Sequence, residues 1–205
     1  MRFDGKYWYI VKGKRGIRMK VGKFLLLFIM IFLAACGDNI ETNMSEPMVD
    51  FEFVTQDGKM LHSDELQDEW WVANFMYTNC RTVCPRTTAN LAEVQGKLKE
   101  DGLSPQIVSF SVDPAYDTPE VLKEYAAGYD ADLETWSFLT GYDFETIQEI
   151  SEHTFKAVLE EGVIGQRAHG VGFYLIDPEG NIVKKYDGTS TVELDELVKD
   201  LKSVL

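Results

Sequence analysis

Hydrophobic and polar positions in the first half of the chain follow the period of β-strands. Residues 51–55 alternate between apolar and polar side chains, residues 56–59 (Gln-Asp-Gly-Lys) carry a turn signal, and residues 60–62 predict the returning strand of a hairpin. The mostly apolar runs at 70–78 and 106–112 predict central strands that are covered on both faces.

Helical patterns and further strands complete the series. A long helical pattern begins at Pro85, a residue type favoured in the first turn of a helix. The other predicted elements are a short helix from Ser63, a helix entered at 118–120, a strand at 136–139, a helix capped by Thr140 or Asp143 and running to about Phe155, a hairpin of two strands over 173–186, and a final helix opened by the capping box at 190–193. This order predicts the α/β class with a thioredoxin-like fold, in which helices flank a central mixed sheet that carries an N-terminal β-hairpin.

Residues 1–35 differ in composition from the rest of the chain. They contain eight basic residues and one acidic residue, and they end in an apolar run of about ten residues at 24–33. A spanning helix needs about 20 apolar residues, so this segment predicts a secretory signal peptide rather than a membrane span. Met19 is a plausible signal start, so residues 1–18 are interpreted as an upstream extension or as the result of a mis-chosen start codon.

The sequence Leu-Ala-Ala-Cys at 33–36 resembles the lipobox of bacterial lipoproteins. The resemblance implies that Cys36 receives a lipid and becomes the mature N-terminus; the alternative is an uncleaved anchor with an incidental cysteine. Residues 36–48 are then a lipid-anchored tether and residues 49–205 the folded domain. Both interpretations predict a protein attached to the cell membrane and facing the extracytoplasmic side.

The charge of the chain excludes one class of partner. Of the 20 basic and 34 acidic residues, 12 and 33 remain after residue 35, which gives this part a formal charge of −21. A surface of this sign repels phosphate backbones, so nucleic acid is not expected as a partner. Nothing in the sequence indicates an obligate assembly, and a monomer is expected.

Two cysteines stand at the junction of a predicted strand and helix. Cys80 and Cys84 are separated by three residues and followed by Pro85. The N-terminus of a helix favours thiolates, which attack disulfides and also bind soft metals such as Cu(I). The pair therefore predicts a redox dithiol, a metal site, or both. Compared with the usual two-residue spacer, the extra residue makes a simple thioredoxin less favoured and leaves room for a metal.

The domain resembles the Sco/SenC family, especially its lipoprotein members from Gram-positive bacteria. The resemblance rests on three separated motifs: residues 75–85 around the two cysteines, residues 109–119 (Ser-Phe-Ser-Val-Asp-Pro-Ala-Tyr-Asp-Thr-Pro), and His169 shortly before residues 173–180. It implies a thioredoxin-like domain that binds one copper ion, Cu(I) or Cu(II), through Cys80, Cys84 and His169. It also implies the copper-containing subunit of cytochrome c oxidase as the partner.

Other polar residues receive weaker predictions. His62 and His153 are interpreted as ordinary surface or hydrogen-bonded histidines. Asp113 and Asp117 lie on either side of Pro114. Turn formation and helix capping explain both residues. The alternative is that they orient the site or contact a partner.

The leading functional hypothesis is a copper metallochaperone for the dinuclear copper centre of cytochrome c oxidase, which is not an enzyme in the turnover sense. Its rival is a thiol-disulfide oxidoreductase that reduces the cysteines of that copper site, with Cys80 attacking and Cys84 resolving. A peroxidase related to peroxiredoxins shares the fold and is disfavoured, because the motifs differ.

Overall fold

The computed structural model describes residues 40–162 and 167–205, so Cys36 and the predicted signal segment lie outside the described residues. The strands in this part of the chain are β1 (Glu46–Pro47), β2 (Glu52–Thr55), β3 (Met60–His62), β4 (Trp71–Met76), β5 (Gln106–Ser111), β6 (Trp136–Thr140), β7 (Leu159–Glu161), β8 (Arg167–His169), β9 (Gly172–Ile176) and β10 (Asn181–Asp187). The α-helices are α1 (Cys84–Glu100), α2 (Pro119–Ala127), α3 (Phe144–Glu149) and α4 (Thr191–Val204).

Eight of the strands form one mixed sheet in the order β1-β10-β9-β4-β5-β6-β2-β3. The central strands β4, β5 and β6 run parallel, as expected when helices cross over between them, whereas β9 pairs with β4 in the antiparallel sense. The predicted N-terminal hairpin is confirmed as β2 and β3. The predicted thioredoxin-like α/β fold is likewise confirmed, because the helices flank a mixed sheet in the expected order.

Both faces of the sheet are covered. Every residue of β4 is buried, in agreement with the prediction for a central strand. On one face, Phe75 packs against Phe155 with ring centroids 5.0 Å apart. Alternate residues of a strand point to opposite faces, so Asn74 lies on the other face, where Ser109 donates a hydrogen bond to its side chain at 2.6 Å. Reactive side chains can therefore reach solvent at the ends of the strands and not on the faces of the sheet.

The packed part of the chain begins earlier than the sequence indicates. The compact unit runs from Ile40 to Leu205, whereas Val49 was the predicted start of the domain. Within the predicted tether, the Asn43 side chain accepts a hydrogen bond from Lys185 N–H at 2.8 Å and donates one to the Lys185 carbonyl at 2.9 Å. A polar segment of this kind has no hydrophobic period, so its pairing with β10 leaves no signal in the sequence.

Helix boundaries agree with their capping signals. The Asp143 side chain accepts the Thr146 N–H at 2.8 Å and caps α3, as one of the two predicted alternatives required. The helix then widens into a π-helical turn, Ile150–Thr154, which ends at the buried Phe155. No helix within residues 40–162 and 167–205 combines the length and apolar character that crossing a membrane requires.

Candidate metal centre

Cys80 and Cys84 lie beyond the carboxyl end of β4, at the start of α1. Cys84 is the first residue of α1, and the N-cap residue Val83 provides no side-chain cap, so the positive end of the helix dipole lies beside the thiols. The Cys84 N–H points to the Cys80 sulfur at 3.5 Å. Both cysteines are reduced and buried.

His169 reaches the cysteines from a small separate sheet. It ends β8, which pairs with β7 through Leu159 opposite His169. The sequence analysis predicted no strand here, but a two-stranded sheet fixes the histidine. The imidazole Nδ1 donates to the Gly170 carbonyl at 2.8 Å, and Nε2 lies 3.3 Å from the Cys84 sulfur. The contact with this carbonyl fixes the ring so that Nε2 faces the thiols.

The ligand atoms of Cys80, Cys84 and His169 all lie within 4.8 Å of one another. Among the residues that the structure describes, no other group of three or more His, Cys, Asp or Glu side chains is arranged in this way. A metal bound about 2.3 Å from sulfur and about 2 Å from nitrogen holds its ligands roughly 4 Å apart, so only small movements would close this set around one ion. The donor set, two sulfurs and one imidazole, suits copper.

The other two histidines are not part of this cluster. His62 ends β3 and lies 3.8 Å from Glu52 in a solvent-exposed pair. His153 belongs to the π-helical turn and is exposed. Both positions agree with the ordinary interpretation that the sequence favoured.

The two thiols differ in acidity. Burial alone would raise the pKa of Cys80, but hydrogen bonds from His169, Thr82 and the Cys84 N–H outweigh burial and lower this pKa to about 4. Burial raises the pKa of Cys84 well above its usual range, and the adjacent Cys80 sulfur raises it further. Cys80 is therefore the thiolate of the pair and Cys84 the thiol.

This difference predicts an unusual pH profile for alkylation by iodoacetamide. The rate at Cys80 should stay nearly constant from about pH 8 down to about pH 5 and should fall only as the pH passes through the pKa of about 4, because the thiolate is the reacting form. Peptide mapping after short exposure at each pH would measure this rate. Cys80→Ser should abolish the reaction at pH 6, whereas a rate that climbs steadily up to pH 8 would show an ordinary thiol.

Asp117 supports the loop that carries the cysteines. Its buried carboxylate accepts the Thr78 N–H at 3.2 Å, the Thr78 hydroxyl, and the Ser111 hydroxyl. Thr78 stands between the end of β4 and Cys80, so Asp117 ties the start of this loop to the end of β5. The sequence left open whether Asp117 orients the site. In the structure, its hydrogen bonds hold the start of the loop that carries the two cysteines.

Asp113 supports the histidine side of the cluster through Arg167. The Arg167 guanidinium bonds to Asp113 at 3.0 Å and to Glu161 at 3.0 Å, and it stacks on the Phe144 ring at 4.3 Å. Arg167 lies two residues before His169 on β8, so these contacts fix the strand that presents the imidazole.

Two residues of the site escaped the sequence analysis. Arg167 has no signal of its own, because its partner Asp113 lies far away in the chain. Tyr77 was assigned to a strand without a role, yet its ring packs edge-on against His169 with centroids 5.6 Å apart, and its hydroxyl accepts the Arg167 N–H at 3.3 Å. The only signal that the sequence offers for a role of Tyr77 is its position just before the cysteine motif.

Comparison with known proteins decides the family. The SCO1/SenC family model matches residues 41–205, a span that includes both cysteines and the histidine. The chain belongs to the SCO1/SenC family.

Relatives of this SCO1/SenC protein agree with the assignment. It is 40% identical over 189 residues to the SCO1 protein homolog of Bacillus subtilis. The aligned part covers 90% of this chain and 97% of the relative. A structure of BsSco, described as a Sco family cytochrome c oxidase assembly protein with a disulfide switch, matches with a TM-score of 0.71 and 38% identity over 80% of this chain and 96% of that one. The copper-bound ScoI of Arabidopsis thaliana matches with a TM-score of 0.65 and 27% identity over 77% of this chain and 97% of that one.

Proposed function

We propose that this protein binds one copper ion through Cys80, Cys84 and His169 and delivers it during assembly of cytochrome c oxidase. The observation that carries the proposal is the convergence of two sulfurs and one imidazole nitrogen within 4.8 Å. Relatives with a copper-bound structure and with a role in oxidase assembly support it. The acceptor would be the dinuclear copper site of the oxidase.

Transfer by this site requires ligand exchange rather than turnover chemistry. The Cys80 side chain is 5% exposed and Cys84 is fully buried, so an incoming thiolate of the acceptor would meet Cys80 first. Stepwise replacement of Cys80, His169 and Cys84 by acceptor ligands would release the ion without leaving it free in solvent.

A direct transfer experiment tests the chaperone role. Copper-loaded soluble domain is mixed with the reduced, metal-free copper domain of the oxidase, and the metal content of the two separated proteins is measured. We expect copper to move to the acceptor from the unaltered protein. Copper that stays on the donor under conditions where the acceptor binds free copper would contradict the chaperone role.

A second function, reduction of a disulfide in the acceptor, is favoured by the unequal acidity of the thiols. The Cys80 thiolate would attack one acceptor sulfur and release the other as a thiolate, forming a mixed disulfide. Cys84 would then attack the Cys80 sulfur, closing a Cys80–Cys84 disulfide and freeing the second acceptor thiol. Two electrons pass to the acceptor, and an external thiol reductant must restore the dithiol.

His169→Ala separates these two functions. It removes a copper ligand but neither sulfur, so copper transfer should fail while reduction of an oxidised acceptor continues when assayed at about pH 8, where Cys80 without its His169 hydrogen bond is still partly a thiolate. Thiol titration of the acceptor after mixing with the reduced, metal-free variant measures the second activity.

Arg167→Ala should weaken copper binding without touching a ligand. It leaves the partly buried Asp113 carboxylate unpaired and frees the β8 strand that presents His169. Changes to residues that orient metal ligands typically cost 10- to 100-fold in affinity, and we expect a loss of about that size. Competition with a chelator of known affinity measures it. Lys123→Ala, which removes a surface ion pair with Asp57, is the matched control, and equal affinities for both variants would contradict this role of Arg167.

We also propose that the protein is lipid-anchored through Cys36 on the extracytoplasmic face of the cell membrane. The support is the signal-like segment at 1–35 and the Leu-Ala-Ala-Cys sequence at 33–36. Mass spectrometry of the membrane-extracted protein would detect a diacylglyceryl modification on Cys36.

A further inference from the structure

The N-terminal segment enters the fold at the end that carries the metal centre. We call this the site end. It is defined by Cys80, Cys84 and His169, together with Gly172, where β9 begins, and Asp187, where β10 ends. β10 runs toward this end and finishes there, with Asp187 opposite Gly172.

Contacts of the segment show its direction. Asn43 bonds to Lys185, near the end of β10, whereas Glu46 and Pro47 pair with Ile182 and Asn181 at its start. The chain therefore runs from the site end toward the opposite end between Asn43 and Pro47. Before the bend at Asn43, Glu41 and Thr42 lie beside the second half of β10 and the first turns of α4.

A surface cleft gives the same placement. Asn43 and Met44 line it together with Val171 and Gly172, which follow closely after His169. Ile40 also packs against the core. Asn43 and Met44 are thus held beside the start of β9.

Three of the six exposed large hydrophobic side chains among the described residues, those with more than half of their surface exposed, also lie at the site end. These are Tyr116 (53% exposed), Val158 (60%) and Val192 (75%). The Val158 carbonyl accepts the N–H of Gly170, the residue after His169, and Tyr116 lies in the loop that follows β5. Val192 lies in the first turn of α4, which begins just after β10. Exposed hydrophobic side chains that share one end of a domain are typical of an interaction surface.

The covalent link to the proposed anchor is short. Residues 37–39 alone separate Cys36 from Ile40, and a fully extended chain reaches at most about 3.6 Å per residue, so the lipid-bearing Cα lies within about 14 Å of the Ile40 Cα. The seven residues of β10 span about 23 Å at 3.3 Å per residue, so this link cannot bring both ends of the sheet equally near the lipid.

We infer that the site end faces the membrane, with Tyr116, Val158 and Val192 directed toward the lipid headgroups. The inference rests on the proposed lipid anchoring at Cys36. It adds a geometric demand on the acceptor, whose copper site must lie close to the membrane surface to meet this one.

Fluorescence quenching in vesicles tests the orientation. Full-length, lipid-modified protein with Cys80→Ser and Cys84→Ser is labelled at Tyr116→Cys or, at the opposite end in the turn between β9 and β10, at the exposed Glu179→Cys. Phosphatidylcholine vesicles carry a quencher on a fraction of their headgroups. Neutral lipid is chosen because the acidic domain would be repelled by an anionic surface. We expect stronger quenching at position 116 than at position 179, and equal or reversed quenching would overturn the inference.

A longer link provides the matched control. About twelve Gly and Ser residues inserted between Asn39 and Ile40 add a flexible span of roughly 20 Å, which should reduce the difference between the two positions. An unchanged difference would show that the short link does not set the orientation and would overturn the inference. Flotation with the vesicles separates the two proposals. Protein that does not float would contradict the lipid anchoring at Cys36, whereas protein that floats but shows equal quenching would contradict only the orientation.

Discussion

Asp117→Ala is expected to lower the free energy of unfolding by about 3–5 kcal/mol, since hydrogen bonds to a charged group contribute about 1.5–3 kcal/mol each and do not add fully. The carboxylate is completely buried and accepts hydrogen bonds from both the N–H and the hydroxyl of Thr78 and from the hydroxyl of Ser111. Alanine leaves these donors without their acceptor. For a domain of this size the melting temperature should fall by roughly 10 °C.

Thermal and denaturant unfolding of the metal-free domain measure this loss. Glu124→Ala is a suitable control. It removes an exposed carboxylate from α2, the helix that follows Asp117 in the chain, and it should change stability little. Asp117→Asn should fall between the two, since the amide keeps the volume and one acceptor oxygen. A melting temperature for Asp117→Ala equal to that of the control would contradict the anchoring role of this carboxylate.

Much of the fold could be predicted from local patterns. Apolar runs at 70–78 and 106–112 predicted β4 and β5, because strands covered on both faces carry few polar side chains. The capping box at 190–193 predicted α4, and the Ser190 side chain does accept the Glu193 N–H. Such signals are contained within a few residues, so one sequence is sufficient to detect them.

Pairings between distant segments could not be predicted. β1 is two residues long and owes its place to hydrogen bonds with β10, and β7 and β8 are three residues each. Strands this short have too few alternating positions to show a period. Their positions depend on tertiary contacts, such as the ion pair between Arg167 and Asp113, that no local pattern contains.

The candidate site shows the same division. Cys80 and Cys84 were indicated by their place before a helix, which is a local feature. His169 was indicated only by resemblance to the Sco/SenC family, because a single histidine in a glycine-containing segment has no distinctive spacing. The structure brings all three together, whereas their role as copper ligands remains the prediction that most needs a direct test.

His169→Ala is expected to cost more than about 100-fold in affinity for Cu(II), because even residues that only orient a ligand account for 10- to 100-fold. Cu(I) should be affected less, since the two soft sulfurs that it prefers remain in place. His62→Ala is the matched control, because His62 is an exposed histidine outside the cluster. Its affinity for both ions should equal that of the unaltered protein.

The most direct measurement is titration of a soluble fragment beginning at residue 37 with Cu(II), followed by the sulfur-to-copper charge-transfer absorption. The unaltered fragment should develop this band and reach an endpoint at one copper per chain, and either Cys80→Ser or Cys84→Ser should weaken the band strongly. His169→Ala should shift the band and lower the affinity. Absence of the band in the unaltered fragment, or an unchanged band and affinity in His169→Ala, would contradict a copper site built from these three residues.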